Sequence, residues 1–228
     1  SAARAVHVTQ PAITQGIAKL EGQIGMPLFE RRPDAMVATD AGRILVPRAE
    51  IALRLIGSQR ATSAQIRAFL SLARNGSYAG AATETGLNEA SLHRAASDLP
   101  IGSGQRLVER RGRGVVLTTR GALMARNLRL VVAELSSGMA ELTALQGREV
   151  GRIVVGAMPL SRARLLPKVI NQFRRRYPQV DLAIVEGSHS ELAGPLRDGE
   201  IDMMVGALRP VAPRDLVQAP LFDDQPLI

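Results

Sequence analysis

The stretch from Thr9 to Glu21, TQPAITQGIAKLE, carries side chains suited to contacting the edges of DNA bases. One side of it combines neutral donors and acceptors with a single cation, a mixture that can read bases without binding every anion. Apolar residues recur at helical spacing on the other side, which predicts a short amphipathic helix. Taken alone, this pattern is equally typical of an ordinary surface helix. The side chains predicted to face DNA are Thr9, Gln10, Pro11, Thr14, Gln15 and Lys19.

The residues around this helix predict a winged helix-turn-helix. SAARAVHV precedes it as a helix end and turn, and LFERR and MVAT follow it as two strands around a Pro-Asp turn. Arg31 and Arg32 in this wing would lie beside phosphates. Thr39 then caps a helix that runs to about Gly57, with Pro47 as a kink or a break. This order of elements is typical of a winged DNA-binding domain.

The motifs of this region resemble a known family. A-x-x-x-x-V-T-Q-P-A-I-T-Q-x-I-x-x-L-E, followed by G-x-x-L-F-E-R and T-D-A-G, is similar to the DNA-binding domain of LysR-type transcriptional regulators. The resemblance implies binding to double-stranded DNA as a homodimer or homotetramer.

Composition limits the class of protein. The 228 residues are 46% apolar and 22% charged, and without cysteine they can form no disulfide, thiolate metal site or cysteine nucleophile. No apolar run reaches the length of a membrane span, so we expect a cytoplasmic protein without membrane contact. The net charge of +8 divides into +7 for residues 1–146 and +1 for residues 147–228. A basic front half suits nucleic-acid binding, although arginine-rich genome composition could produce the same bias.

An internal repeat relates the first 59 residues to the next segment. LFERR at 28–32 recurs as LVERR at 107–111, an offset of 79, and the same offset pairs Thr39 with Thr118 and Gly42 with Gly121. A constant offset predicts a duplicated winged helix, a departure from the single copy in the LysR-type pattern. Ile66–Gly80 is the predicted first helix of the second copy, ending at Asn75-Gly76. Its projection onto the first copy falls before residue 1, so we expect the first copy to lack this helix.

The second copy carries a different recognition sequence, NEASLHRAASDLP. Asn88 keeps the cap, Glu89 and Asp98 add negative charge, and Pro100 is predicted to end the helix early. We expect the first copy to read bases better, and the second to be a weaker reader, a spacer or a dimerisation element. Its candidate DNA contacts are Ser91, His93, Arg94, Arg110 and Arg111, with Arg113 adding to the basic wing.

A long helix is predicted after the second wing, from Thr118 or Thr119 to Gly147. Its apolar seam could pack on its own domain, but so long a helix with few neighbours favours packing on a second copy of the chain. The LysR-type resemblance also implies that this helix forms the dimer. The seam consists of Leu123, Leu128, Leu130, Val131, Leu135, Met139, Leu142 and Leu145.

The last third of the chain predicts a parallel α/β domain with strands at Arg152–Ala157, Val180–Glu186 and Ile201–Gly206. RIVVGA, LLPKVINQFRRRYPQVDLAIVEG and LRDGEIDMMVGAL resemble the opening of the LysR-type effector domain, which binds a ligand between two α/β halves. We expect only the first half here, with both ends of the chain cut. Ser161 and Ser188 are predicted N-caps that could contact a small-molecule effector such as a carboxylate, though as caps they need no ligand.

The predicted fold is α + α/β: tandem winged helix-turn-helix domains with a long linker helix, then a parallel-sheet effector-binding domain. The predicted boundaries are 1–59, 60–146 and 147–228. The predicted function is that of a LysR-type regulator of transcription controlled by a small-molecule effector, with no catalytic residue, metal or cofactor. The alternative is a small-molecule-binding protein or enzyme whose winged helices bind other proteins.

Overall fold

The computed structural model describes residues 9–32, 35–57, 61–99, 106–112, 114–161, 165–211, 213 and 215–223. Two winged units precede a parallel α/β unit, which confirms the predicted fold class. Among the described helices, none is both long and apolar enough to cross a membrane. Several predicted features lie outside the described residues: SAARAVHV, the Pro33-Asp34 turn, Pro100, Arg113 and the end of the chain.

The first unit contains a helix, a two-stranded hairpin and a second helix. These are α1 (Gln10–Ile24), β1 (Phe29–Arg31), β2 (Met36–Ala38) and α2 (Asp40–Ile56). The N-caps are Thr9 and Thr39, as predicted, and α1 ends at Gly25 with a φ of 75°, a left-handed conformation that glycine adopts without strain. Pro47 lies inside α2, which continues past it to Ile56.

The second unit has a fuller set of helices. Its elements are α3 (Ser63–Asn75), α4 (Tyr78–Thr85), α5 (Glu89–Ser97), β3 (Val108–Arg111), β4 (Gly114–Leu117) and α6 (Thr119–Leu145). The short helix α4 was not predicted. Phe69 and Leu92 are fully buried where α3 packs over α5. Helix α5 ends before Pro100, because a residue that precedes proline disfavours helical geometry.

The offset of 79 residues relates the two units in atomic detail. Phe29 pairs with Ala38 in the first hairpin, and their counterparts pair in the second. Thr39 and Thr118 accept the N–H of Gly42 and Gly121, at 3.0 Å in both cases. A Cβ at either glycine would stand 2.2 or 1.9 Å from a carbonyl oxygen of its own wing. Each unit therefore needs glycine where its long helix crosses its wing.

Helix α6 packs on α2 of the same chain, whereas the sequence predicted packing on a second copy. Arg48 of α2 donates to Glu134 at 2.9 Å, and Asn127 of α6 donates to the Leu55 carbonyl at 3.3 Å. Residue numbers rise along one helix as they fall along the other, so the helices are antiparallel. This packing covers only part of the predicted seam, so packing on a second copy stays a prediction. Leu128, Val131 and Leu142 are buried, whereas Leu123, Leu135, Met139 and Leu145 remain exposed.

The third unit is a three-stranded parallel sheet in which the first strand along the chain lies between the other two. Its elements are β5 (Gly151–Ala157), α7 (Leu165–Arg176), β6 (Val180–Glu186), α8 (His189–Arg197) and β7 (Met203–Val205). These elements confirm the predicted strand–helix alternation. Parallel strands end at a common edge, and in this sheet Ala157 is level with Glu186 and with Val205. The loops that follow the strands therefore lie side by side.

Candidate nucleic-acid interface

Helix α1 presents one exposed polar side. The predicted contact residues are all exposed, namely Thr9, Gln10, Pro11, Thr14, Gln15 and Lys19. Ile13 and Ile17 on the other side are half-buried. The Thr9 hydroxyl accepts a backbone N–H of the first turn at 3.4 Å, and the Thr14 hydroxyl donates to the Gln10 carbonyl at 3.1 Å. These bonds hold the first turn while the side-chain amides stay exposed to solvent.

Glu21 fixes the first wing relative to α1. Its Oε1 accepts the backbone N–H of Leu28 at 2.7 Å and that of Phe29 at 3.2 Å. The wing residues Arg31 and Arg32 are exposed. This role of Glu21 was not predicted from the sequence, although an acid in the last turns of a helix is unfavourable for the helix dipole and so signals a partner.

The second unit presents a shorter recognition helix with exposed charges of both signs, among them Glu89 and Arg94. Asn88 accepts the backbone N–H of Ser91 at 2.8 Å, the counterpart of the Thr9 cap. His93 and Arg94 are exposed and Ser91 is half-exposed. The His93 ring stacks on Tyr78, with ring centroids 5.5 Å apart, so one face of the imidazole is covered by its own unit. Burial raises the pKa of Tyr78, and the charge of nearby Arg110 opposes that rise.

The second wing is basic like the first. Arg110 and Arg111 of β3 are exposed. Val115 of β4 donates its backbone N–H to the carbonyl of Gly76, the cap of α3, at 2.7 Å. This bond holds the hairpin against the first helix of its unit, which leaves the arginine side chains facing solvent.

The two predicted effector contacts occupy the carboxyl edge of the sheet in different ways. Ser161 is buried and ends a short 3-10 turn ahead of α7, where its hydroxyl donates to the Met158 carbonyl at 2.7 Å. This bond closes the turn. Residues 162–164, which connect Ser161 to α7, lie outside the described residues, so the role of Ser161 as a cap stays a prediction. Ser188 does cap α8, in a box with Glu191 whose hydrogen bonds from Ser188 lower the pKa of the Glu191 carboxyl.

A cluster of ion pairs that the sequence did not predict joins α6 to the α/β unit. Arg129 of α6 contacts Asp198 at 2.6 Å and Glu200 at 3.2 Å. Arg126 contacts Asp215 at 3.1 Å. A hydrogen bond from Arg197 is the main cause that lowers the pKa of Asp215. No local pattern signals these pairs, because the arginine partner of Asp198 lies 69 residues earlier in the chain.

The turn inside this cluster is packed as well as charged. Gly199 has a φ of 71°, and a Cβ there would stand 3.3 Å from side-chain atoms of Ala133 and Leu130 in α6. The linker helix thus contacts the α/β unit through apolar packing and through ion pairs. Metal coordination has no support in the described residues, where no three side chains of suitable type come together.

Family models match almost the whole chain. Residues 1–43 and 63–122 match "Bacterial regulatory helix-turn-helix protein, lysR family", and residues 146–228 match "LysR substrate binding domain". These matches coincide with the two winged units and the α/β unit. The chain belongs to the LysR family of transcriptional regulators.

Curated relatives carry related descriptions. The chain is 33% identical to the "HTH-type transcriptional regulator GalR" of Pseudomonas putida, in an alignment that covers 100% of this chain and 62% of the relative. It is 32% identical to the "Probable hydrogen peroxide-inducible genes activator" of Streptomyces viridosporus, over 71% of this chain and 51% of the relative. The chain thus spans between half and two thirds of the length of these relatives.

Solved structures of the same family are also similar. A hydrogen peroxide-bound mutant of OxyR from Corynebacterium glutamicum is 30% identical and aligns with a TM-score of 0.40, covering 68% of this chain and 48% of that one.

Proposed function

We propose that this chain is the DNA-binding and effector-sensing part of a transcriptional regulator. The observation that carries the proposal is the exposed polar side of α1 beside the basic wing. Amide and hydroxyl groups there suit base edges, and Arg31 and Arg32 suit the flanking phosphates. The corresponding residues of the second unit are Ser91, His93, Arg94, Arg110 and Arg111.

The proposed division of labour follows the three segments of the chain. Residues 1–59 and 60–146 would bind double-stranded DNA, and residues 147–228 would contribute one half of an effector site. Ser161 and Ser188 lie beyond the carboxyl ends of β5 and β6, the edge where open parallel sheets bind ligands. A small carboxylate suits the N–H groups at a helix start, and its binding would act on DNA affinity without chemical conversion.

Selection of fragments from random duplex DNA tests this function. The full chain should enrich a defined sequence, and Gln10→Ala with Thr14→Ala should relax the preference by removing base contacts. Arg31→Ala with Arg32→Ala should weaken binding to all sequences. It should also reduce the slope of log K against log salt concentration by about 1 for each phosphate that is no longer neutralised. Arg174→Ala with Arg175→Ala, in the α/β unit, is the charge-matched control and should leave both properties unchanged.

Binding that responds to salt but enriches no sequence would contradict the proposal. The winged units would then bind DNA only through charge, and a role in contacts with other proteins would be favoured. Equal binding by wild type and all four α1 and wing substitutions would show that the first unit does not contact DNA.

A further inference from the structure

The packing of α2 on α6 has an approximate two-fold symmetry within one chain. Arg48 contacts Glu134, and Leu55 contacts Asn127. The offset of 79 makes Arg48 equivalent to Asn127 and Leu55 equivalent to Glu134. The second contact is therefore the first with the two units exchanged. Reciprocity of this kind defines an isologous interface, in which the same surface of two bodies meets itself.

The hydrophobic cores of the two units are completed in a similar way, although by residues that are not equivalent under the offset. Leu142, near the end of α6, is buried with Leu28 and Ala41 of the first unit. Ile56, at the end of α2, packs against the core of the second unit, which contains Leu107, the counterpart of Leu28. Each unit therefore completes the hydrophobic core of the other with the end of its own long helix.

Charge specifies that α2 pairs with α6 and not with a second α2. Arg48 reaches both Glu134 and Glu141. In a pair of two α2 helices Arg48 would face Leu55, and in a pair of two α6 helices Glu134 would face Asn127. Either arrangement leaves a half-buried charge without its partner, which disfavours it. The duplicated helices have thus become complementary instead of identical.

The geometry also sets the distance between the wings. The residue numbers add up to 182 in the Arg48–Glu134 and Leu55–Asn127 pairs, and to 189 in the pair of Arg48 with Glu141. With the value of 182, Thr118 lies level with the twenty-fifth position beyond Thr39 along the axis of α2, extended past the helix end at Ile56. At a helical rise of about 1.5 Å per residue, the two wing-to-helix junctions are about 37 Å apart. One turn of B-DNA is about 34–36 Å, the spacing at which two major grooves face the same side.

We propose that a single chain reads a complete two-part DNA site, with one winged unit on each half-site. The inference rests on the proposed function, because it assumes that α1 and α5 both meet DNA. The two recognition helices differ in sequence, so the two half-sites differ too: neutral amides read one, and His93 with Arg94 reads the other. The preferred site is then an asymmetric pair with centres about one helical turn apart.

Half-site preferences of variants test this inference. Full chains carrying Gln10→Ala with Thr14→Ala, or His93→Ala with Arg94→Ala, are put through selection from random duplexes beside the wild type. We expect the first double variant to lose about tenfold preference at one half-site only, and the second to lose it at the other, since good base contacts discriminate by about 1–3 kcal/mol.

The outcomes separate the inference from the function beneath it. A symmetric site, relaxed in both halves by the α1 variant and unchanged by the α5 variant, would overturn the inference and leave the proposed function standing. The first unit would then be the reader in each of two chains. A selection that enriches no sequence would overturn the function and the inference together.

Charge reversal at the helix pair gives a second, independent test. Arg48→Glu should lower affinity for the two-part site at least tenfold while leaving affinity for an isolated half-site unchanged, because it breaks the pairing and not the reading surfaces. Adding Glu134→Arg and Glu141→Arg should restore binding. Equal loss on the half-site and on the two-part site, or no rescue, would overturn the inference.

Discussion

Helix α1 of the first winged unit spans 15 residues, whereas its counterpart α5 in the second spans 9 residues. The units nevertheless share their caps, their hairpin register and the crossing of wing and long helix. Their scaffolds have therefore been kept while the surfaces facing solvent have diverged. Separate residues therefore govern the contacts within a unit and the surface that each unit presents to a ligand.

Glu21 and Pro100 show how one position changes a unit. Both stand at the same place under the offset of 79. Glu21 lets α1 continue and ties it to the wing, whereas α5 ends before Pro100, which has no carboxylate to accept the wing amides. The first unit thus links its recognition helix and wing directly, and the second holds its wing through Gly76.

The largest loss of stability is expected at the crossing of wing and long helix, which the two units share. Gly42→Ala and Gly121→Ala each place a Cβ against a backbone carbonyl that cannot move aside. Overpacking of this kind costs about 1–3 kcal/mol or more, so each variant should unfold at clearly lower denaturant concentration. Gly16→Ala and Gly22→Ala are the controls. They have open space around them and should hold or slightly raise stability. Unchanged stability with alanine at Gly42 or Gly121 would show that the two units do not share this close crossing of wing and long helix.

A smaller effect should fall on the first unit alone. Glu21→Ala removes the acceptor of two wing amides, and a hydrogen bond that is only partly buried contributes a net stabilisation of about 1 kcal/mol. We expect faster hydrogen exchange at Leu28 and Phe29 and weaker DNA binding through a less ordered wing. Glu30→Ala, an exposed change in the same wing, should leave exchange at these amides unchanged. Equal exchange in both variants would contradict the role given to Glu21.

The smallest effect is expected on the stability of the second unit at acidic pH. Hydrogen bonds from Asn75 and Ser71 lower the pKa of Glu84, with the charge of Arg74 adding to them. A carboxyl whose pKa is lowered by folding stabilises the fold above its usual value near 4.5, and that contribution is lost as the pH falls through the lowered pKa. The unfolding temperature of the wild type should therefore decrease more steeply than that of Glu84→Gln as the pH falls below about 4.5. Parallel curves for the two proteins would show that Glu84 does not link α3 to α4.

Much of this architecture could be predicted because its signals are local. A threonine hydroxyl can accept the free N–H groups at the start of a helix, and this predicts helix starts at Thr9, Thr39 and Thr118. The repeat could be found because one offset aligns the glycines that both crossings require. The polar side of α1 is likewise visible in the order of its residues, although its contact with DNA stays a prediction.

What could not be predicted depends on partners far away in sequence. The seam of α6 gave no sign that Leu142 would meet Leu28, because any complementary helix could have covered it. Arg129 and Asp198 form a pair only after the α/β unit has docked on α6. Ser161 was predicted as a cap because serine favours helix starts, whereas nothing local signalled that its hydroxyl would also donate to the Met158 carbonyl and close a turn.

Joining both reading units in one chain also changes how the site depends on protein concentration. Two separate chains must find each other before they can fill both half-sites, whereas tethered partners experience an effective concentration in the millimolar range when a linker is short. A pair held by α2 and α6 would therefore stay assembled at nanomolar abundance. Each half would also be free to change its DNA preference alone, since a substitution in one unit is no longer copied into the other.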